Sequence, residues 1–156
     1  EDRRKRGGVW LQTALAVQLS LCLPVALAWR GTGAAWQRVL GNHAADLTEC
    51  AQYYASVSSL GLPAVATTAA LTQFFAAQRI ARPETHGAAF GLTLHVLLGL
   101  VFVLGVPVPN FPGFGFRAGP AVGCAAAYFQ LLFVWLVYCR LGKLHRACWS
   151  SWDLPA

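Results

Sequence analysis

The residues of this 156-residue chain able to hold a metal or move a proton are four histidines, five cysteines and six carboxylates. His43, His86, His95 and His145 show neither HxxxH nor HExxH spacing, the patterns that put two imidazoles on one helix face beside a zinc ion. Cys22, Cys50, Cys124, Cys139 and Cys148 form no CxxC pair, and three of them fall within or at the ends of apolar runs, where cysteine acts as a small hydrophobe. Asp46 and Glu49 open an apolar segment and read as a solvated helix N-terminus, where acids favour the dipole. No catalytic set, metal site or cofactor is expected, and the chain is read as a non-enzyme.

A different chemistry belongs to the uncharged polar groups Gln73, Gln78, Gln130, Tyr53, Tyr54 and Tyr128, which stand in or at the ends of apolar runs. Two readings apply to each of them. Between helices in lipid they would hydrogen-bond for about 0.6 to 2 kcal/mol apiece. Facing a cavity, amides and aromatic rings would offer dipole and cation–π contacts to an organic cation. His95 joins this set as the one ionisable side chain deep within a span, a position that is costly and therefore a candidate functional site. No carboxylate stands at its depth, and it is expected to act as a hydrogen-bonding group toward other helices or a cavity.

The elements that must position these groups follow from composition: 56% hydrophobic residues, 12% charged residues and a mean hydropathy of +0.50 make a membrane protein the default. Four apolar spans are read, over about 8–29, 50–78, 85–106 and 118–139. The first, "GVWLQTALAVQLSLCLPVALAW", carries no charge and has Trp10 and Trp29 at its ends, as an aromatic belt would place them. Its apolar stretch of about 20 residues is too long for a signal-peptide core. Residues 30–45 read as a polar connection with a short amphipathic element around "AAWQRVL". Pro63 should kink the second span, whose polar start lies at residue 46. "VPVPNFPGFGFR" is a Pro/Gly hairpin. Gly87 with Gly91, and Gly119 with Gly123, are GxxxG pairs that let helices approach in lipid. The chain has no Met and begins inside "EDRRKRGG", so it is expected to be a piece of something longer.

Charge sets the expected orientation. Arg3, Arg4, Lys5, Arg6, Arg79, Arg82, Arg140, Lys143 and Arg146 lie on one side, against Arg30, Arg38 and Arg117 on the other. By the positive-inside rule both termini face the cytoplasm. The net charge of +6 comes in short clusters between apolar segments, which leaves no basic face for nucleic acid.

"LTQFFAAQRIARPETHGAAFGLTLHVLLGLVFVLG", followed by a Gly/Pro loop and "AGPAVGCAAAYFQLLFVWLVYC", resembles helices four to six of the multidrug and toxic compound extrusion (MATE) family, in its plant and animal branch. The family pattern there is an aromatic or leucine pair, Gln-x-Gln, a gap and a proline. Phe74, Phe75, Gln78 and Pro83 match it. Ala76 replaces the first Gln, and Gln73 stands where many members carry arginine. "LCLPVALAW" is similar to the end of the third helix, and "LHRACWSSW" to the linker after the sixth. The resemblance spans nearly the whole chain and is most specific over 70–138. It implies an all-α fold in which these four helices are helices three to six of one six-helix lobe, the remainder of the transporter being missing.

It also implies an antiporter that exports organic cations or other amphipathic compounds in exchange for H+ or Na+ by alternating access, in a plasma or vacuolar-type membrane. The substrate-cavity candidates are then Gln73, Gln78, His95, Gln130, Tyr53 and Tyr128. The coupling carboxylates would lie in the second lobe, outside this chain. A small stand-alone four-helix membrane scaffold or interaction protein is the competing reading, and it has no reason to carry the junction at 73–83.

Overall fold

The computed structural model describes residues 2–41 and 45–142, with the backbone alone over 2–7. The chain is an all-α membrane bundle. Four helical stretches are long and apolar enough to cross a bilayer: Gly8–Leu40, Ala45–Ala77, Arg82–Val103 and Gly115–Leu141. Residues 143–156, with Lys143, His145, Arg146 and Cys148, and residues 42–44 with His43, lie outside the described residues.

Helix α1 (Asp2–Arg30) begins well before the apolar run at residue 8, because Arg and Lys in its first turns are good helix formers. It holds Pro24 within its length. After a turn closed by Gly31 N–H donating to the Ala28 carbonyl (3.0 Å), the chain re-enters helix as α2 (Thr32–Leu40). The polar connection expected at 30–45 is therefore largely helical. Its anchor is Gly33, whose N–H donates to Gln52 Oε1 at 2.6 Å. Gln52 in turn donates to Ser56 Oγ at 2.8 Å, which ties α2 to α3 (Ala45–Ser58).

The break expected near Pro63 is a 3-10 turn at Ser59–Gly61, just before α4 (Leu62–Ala77). Proline lacks the N–H that would close onto Ser59, and the Leu62 N–H bonds the Ser59 carbonyl in its place. Proline sits here in the first turn of a new helix, where its missing donor costs least.

α4 stops in a Schellman motif. Ile80 N–H reaches the Phe75 carbonyl (3.0 Å), Arg79 N–H reaches the Ala76 carbonyl (2.8 Å), and Ile80 packs against the core that holds Phe75. The left-handed position is Arg79, at φ 62°, where glycine is usual. Pro83 in the first turn of α5 (Arg82–Leu98) then starts the third span three residues earlier than 85. That span closes with a π-helical turn, Gly99–Val103.

The irregular 104–114 segment folds back on itself, Phe114 N–H donating to the Phe102 carbonyl at 2.8 Å. At Gly105, φ 76°, a Cβ would collide with the Phe111 carbonyl oxygen, so the hairpin requires glycine. A 3-10 turn (Gly115–Ala118) leads into α6 (Gly119–Val134), which runs on as a π-helical stretch over Trp135–Leu141.

The tightest packing lies where α1, α4 and α6 meet: Leu11, Ala70, Leu71, Phe75, Val134 and Cys139 are buried together, Phe75 at 1% exposure and Val134 at 0%. Lipid tails are as apolar as these side chains, so what holds the cluster is close van der Waals contact. Because Leu11, Phe75 and Cys139 share it, the start of α1, the end of α4 and the end of α6 stand at one end of the bundle. We term this the basic end, since the Arg79–Arg82 turn and Arg140 are there. Arg30, Arg38 and Arg117 belong to the opposite end.

Candidate functional site

The six candidate residues occupy three depths. At the end opposite the basic turn, Tyr53 on α3 donates its hydroxyl to the Arg117 carbonyl at 3.1 Å, and the neighbouring Tyr54 ring lies 5.5 Å from Phe116. These contacts fasten α3 to the start of α6. A cavity of about 330 Å³ opens beside them, lined by Asp46, Glu49, Cys50, Tyr53, Phe116 and Arg117. Asp46 and Glu49 are exposed in the first turns of α3, as read from the sequence, but they also line this cavity together with Tyr53 of the same helix and with Phe116 and Arg117 from the start of α6. That pairing joins positions some 70 residues apart, and no spacing rule reveals it.

At mid-depth, Tyr128 donates its hydroxyl to the Leu60 carbonyl at 3.0 Å, and the Cys124 thiol bonds the Val57 carbonyl at 3.2 Å. Both donors come from α6; Val57 accepts at the end of α3, and Leu60 accepts within the break itself. Gly61 permits the approach: a Cβ there would sit 3.1 Å from Cys124 Sγ. Cys22, Cys50, Cys124 and Cys139 are free thiols.

Gln130 on α6 lies half-buried across α5. A Cβ at Gly91 would meet its Oε1 at 2.6 Å, and one at Gly87 would meet the buried Val134 Cγ2 at 2.8 Å. The Gly87/Gly91 pair is thus a true close approach between α5 and α6, reinforced by Phe90 stacked on Phe133 at 4.4 Å. The Gly119/Gly123 pair is looser, its nearest neighbours being Tyr54 and His95 at 3.7 Å.

His95 departs from expectation. These four helices do not enclose it: the residue is exposed on the side of α5, with its imidazole edge beside Gly123. It stands eight residues, about 12 Å, from the nearer end of its span, Val103. Gln73 and Gln78 are exposed toward the basic end, the Gln78 N–H capping α4 at the Phe75 carbonyl.

A second cavity, a groove of about 520 Å³ between α4 and α6, takes in Tyr128 together with Thr67, Leu71, Phe129, Leu132 and Trp135. At the basic end, His86 Nδ1 and the Tyr138 hydroxyl are 2.6 Å apart, and Tyr138 also reaches the Arg82 carbonyl at 3.4 Å. This pair, 52 residues apart in the chain, escaped sequence reading, as did Gln52. Among the described residues no group of three His, Cys, Asp or Glu side chains comes together as a metal site.

The described residues thus form a mouth of two carboxylates, two aromatic rings and one guanidinium, an apolar groove, and an imidazole exposed on the side of α5. No family model, curated protein or solved structure matches the chain.

Proposed function

We propose that the chain is part of the first lobe of a MATE-type secondary antiporter, helices three to six, which exports organic cations or related amphipathic compounds in exchange for H+ or Na+. The observation that carries this reading is His95. An imidazole exposed sideways near the middle of a 22-residue apolar span would face hydrocarbon if these four helices acted alone, a position that is costly in a bilayer. Further helices or a water-filled cavity must cover it, as the remaining helices of a transporter would. A four-helix scaffold or interaction protein would need a partner's helix or a second copy to cover it.

Two features support the cation class. The mouth cavity joins Asp46 and Glu49 to the rings of Tyr53 and Phe116, and its two carboxylates outnumber the one guanidinium on its wall, Arg117, which together favour an organic cation over an anion by charge and by cation–π attraction. With the Arg79–Arg82 turn and Arg140 toward the cytoplasm by the positive-inside rule, that mouth opens on the exit side, where an exported cation leaves. The aromatic pair, Gln78 and Pro83 of the family-like junction fall at the end of α4, the capping turn and the start of α5.

The test is uptake of a fluorescent organic cation into vesicles under an imposed proton or sodium gradient. Alternating access needs two bodies rocking around a shared site. The complete parent should accumulate the dye, and this chain alone should not. Gradient-driven uptake by the chain alone, or a full transcript encoding no further helices, would overturn the reading.

A further inference from the structure

We infer that the groove between α4 and α6 holds one acyl chain of an anionic phospholipid, whose headgroup pairs with Arg140. The groove is about 520 Å³, within the usual size of a ligand site, and is walled by Leu71, Phe129, Leu132 and Trp135. Its two polar residues have spent their protons elsewhere: Thr67 Oγ1 donates to the Pro63 carbonyl at 2.7 Å, and the Tyr128 hydroxyl to Leu60. A solute that must be hydrogen-bonded or neutralised finds no free donor and no carboxylate along these walls. An alkyl chain needs neither.

The groove's basic end carries the opposite chemistry. Arg140 is exposed on the π-helical continuation of α6 and folds back so that its guanidinium lies 5.9 Å above the Trp135 ring, the last groove wall on α6. That contact sets a planar, permanently charged fork beside the Trp135 wall at the basic end of the groove, the group best shaped to bind a phosphate diester. Apolar walls ending in one arginine therefore match a molecule that is alkyl along its length and anionic at its head. Anionic lipids are enriched in cytoplasmic leaflets, where the positive-inside rule places this end, but the match rests on the groove and on Arg140 rather than on the transport reading.

The experiment is native mass spectrometry of the chain in mixed micelles containing equal phosphatidylglycerol and phosphatidylcholine with identical acyl chains. The expected result is retention of phosphatidylglycerol over phosphatidylcholine by about fivefold, the contribution of one well-placed cation. Arg140→Gln, at an exposed position, should bring the ratio close to one without changing helix content. Leu132→Trp, which fills the groove from a half-open wall, should remove the retained lipid of either kind. Equal retention by the unaltered protein, selectivity that survives Arg140→Gln, or a second copy of the chain in place of lipid would each overturn the inference.

Discussion

The Gln130 side chain fills the space that a methyl group on residue 91 would need, its Oε1 lying 2.6 Å from where that Cβ would stand. Four residues away, the same gap at Gly87 is filled by Val134, which is fully buried and has no room to retreat. The two glycines therefore differ in what must yield. At 91 a flexible amide can swing aside. At 87 a packed methyl cannot.

Gly87→Ala should lower the unfolding midpoint in detergent by the larger amount, an overpacking cost of about 1–3 kcal/mol. Gly91→Ala should cost less, and adding Gln130→Ala should restore most of that loss. Equal effects of the two single substitutions, with no rescue by the second change, would show that α5 and α6 do not meet as described.

The left-handed arginine yields a gain. Holding a residue with a Cβ at φ 62° costs about 1–2 kcal/mol. Arg79→Gly should therefore raise thermal stability by up to about 1 kcal/mol once glycine's own unfolded-state entropy is set against it. Arg79→Val should lower stability, since a β-branched side chain tolerates this conformation worst. A destabilised glycine variant would mean that the guanidinium contributes more than the backbone loses.

Topology is checked by cysteine labelling in a background without native thiols. Pro83 is buried, so Ala81 and Leu141 report the basic end, while Val39 and Val108 report the other; all four are exposed. An impermeant thiol reagent added outside cells should modify the second pair and spare the first. Reaction at Ala81 would invert the orientation drawn from the basic clusters.

His95→Leu should act with opposite signs in two contexts. In the four-helix chain it removes an imidazole open to lipid, so folded yield should rise. In the complete parent the same change should lower folded yield or transport, by about 0.6–2 kcal/mol if one interhelical hydrogen bond is lost. His95→Asn in the parent should keep transport and its pH profile if the role is hydrogen bonding alone. A rise in yield in both contexts would remove the argument that further helices cover this residue.

The four spans were legible because each is a run of apolar residues of bilayer length, and the Gly/Pro hairpin because Pro107, Pro109 and Pro112 with Gly113 and Gly115 break a helix there. Finer features escaped for identifiable reasons. α2 reads as connection because Gly31 and Gly33 are poor helix formers, yet Gly33 is what lets Gln52 approach its N–H. The sequence puts the kink at Pro63, but proline disturbs the turn before itself, so the break falls at Ser59–Gly61. Tyr53, Gln73 and Tyr128 look alike in sequence; their separation into a mouth, an exposed basic-end site and a groove is set by which helices lie alongside them. His95 could be assigned a depth from sequence, but the direction it faces follows from where α6 crosses α5.

A bend in a membrane helix is commonly pictured as a joint that swings. The one between α3 and α4 is braced: α6 grips the carbonyl of Val57 just before it with a thiol and that of Leu60 within it with a phenol, Tyr53 fastens the upstream arm to Arg117, and Leu71 and Phe75 of the downstream arm pack with Val134 of α6. A push on either arm is handed on to α6 as load along a strut instead of being spent at the corner. Elements this closely triangulated move as one piece, so any rocking in the parent should leave the α3–α4–α6 frame undeformed and concentrate its strain where this frame meets other helices.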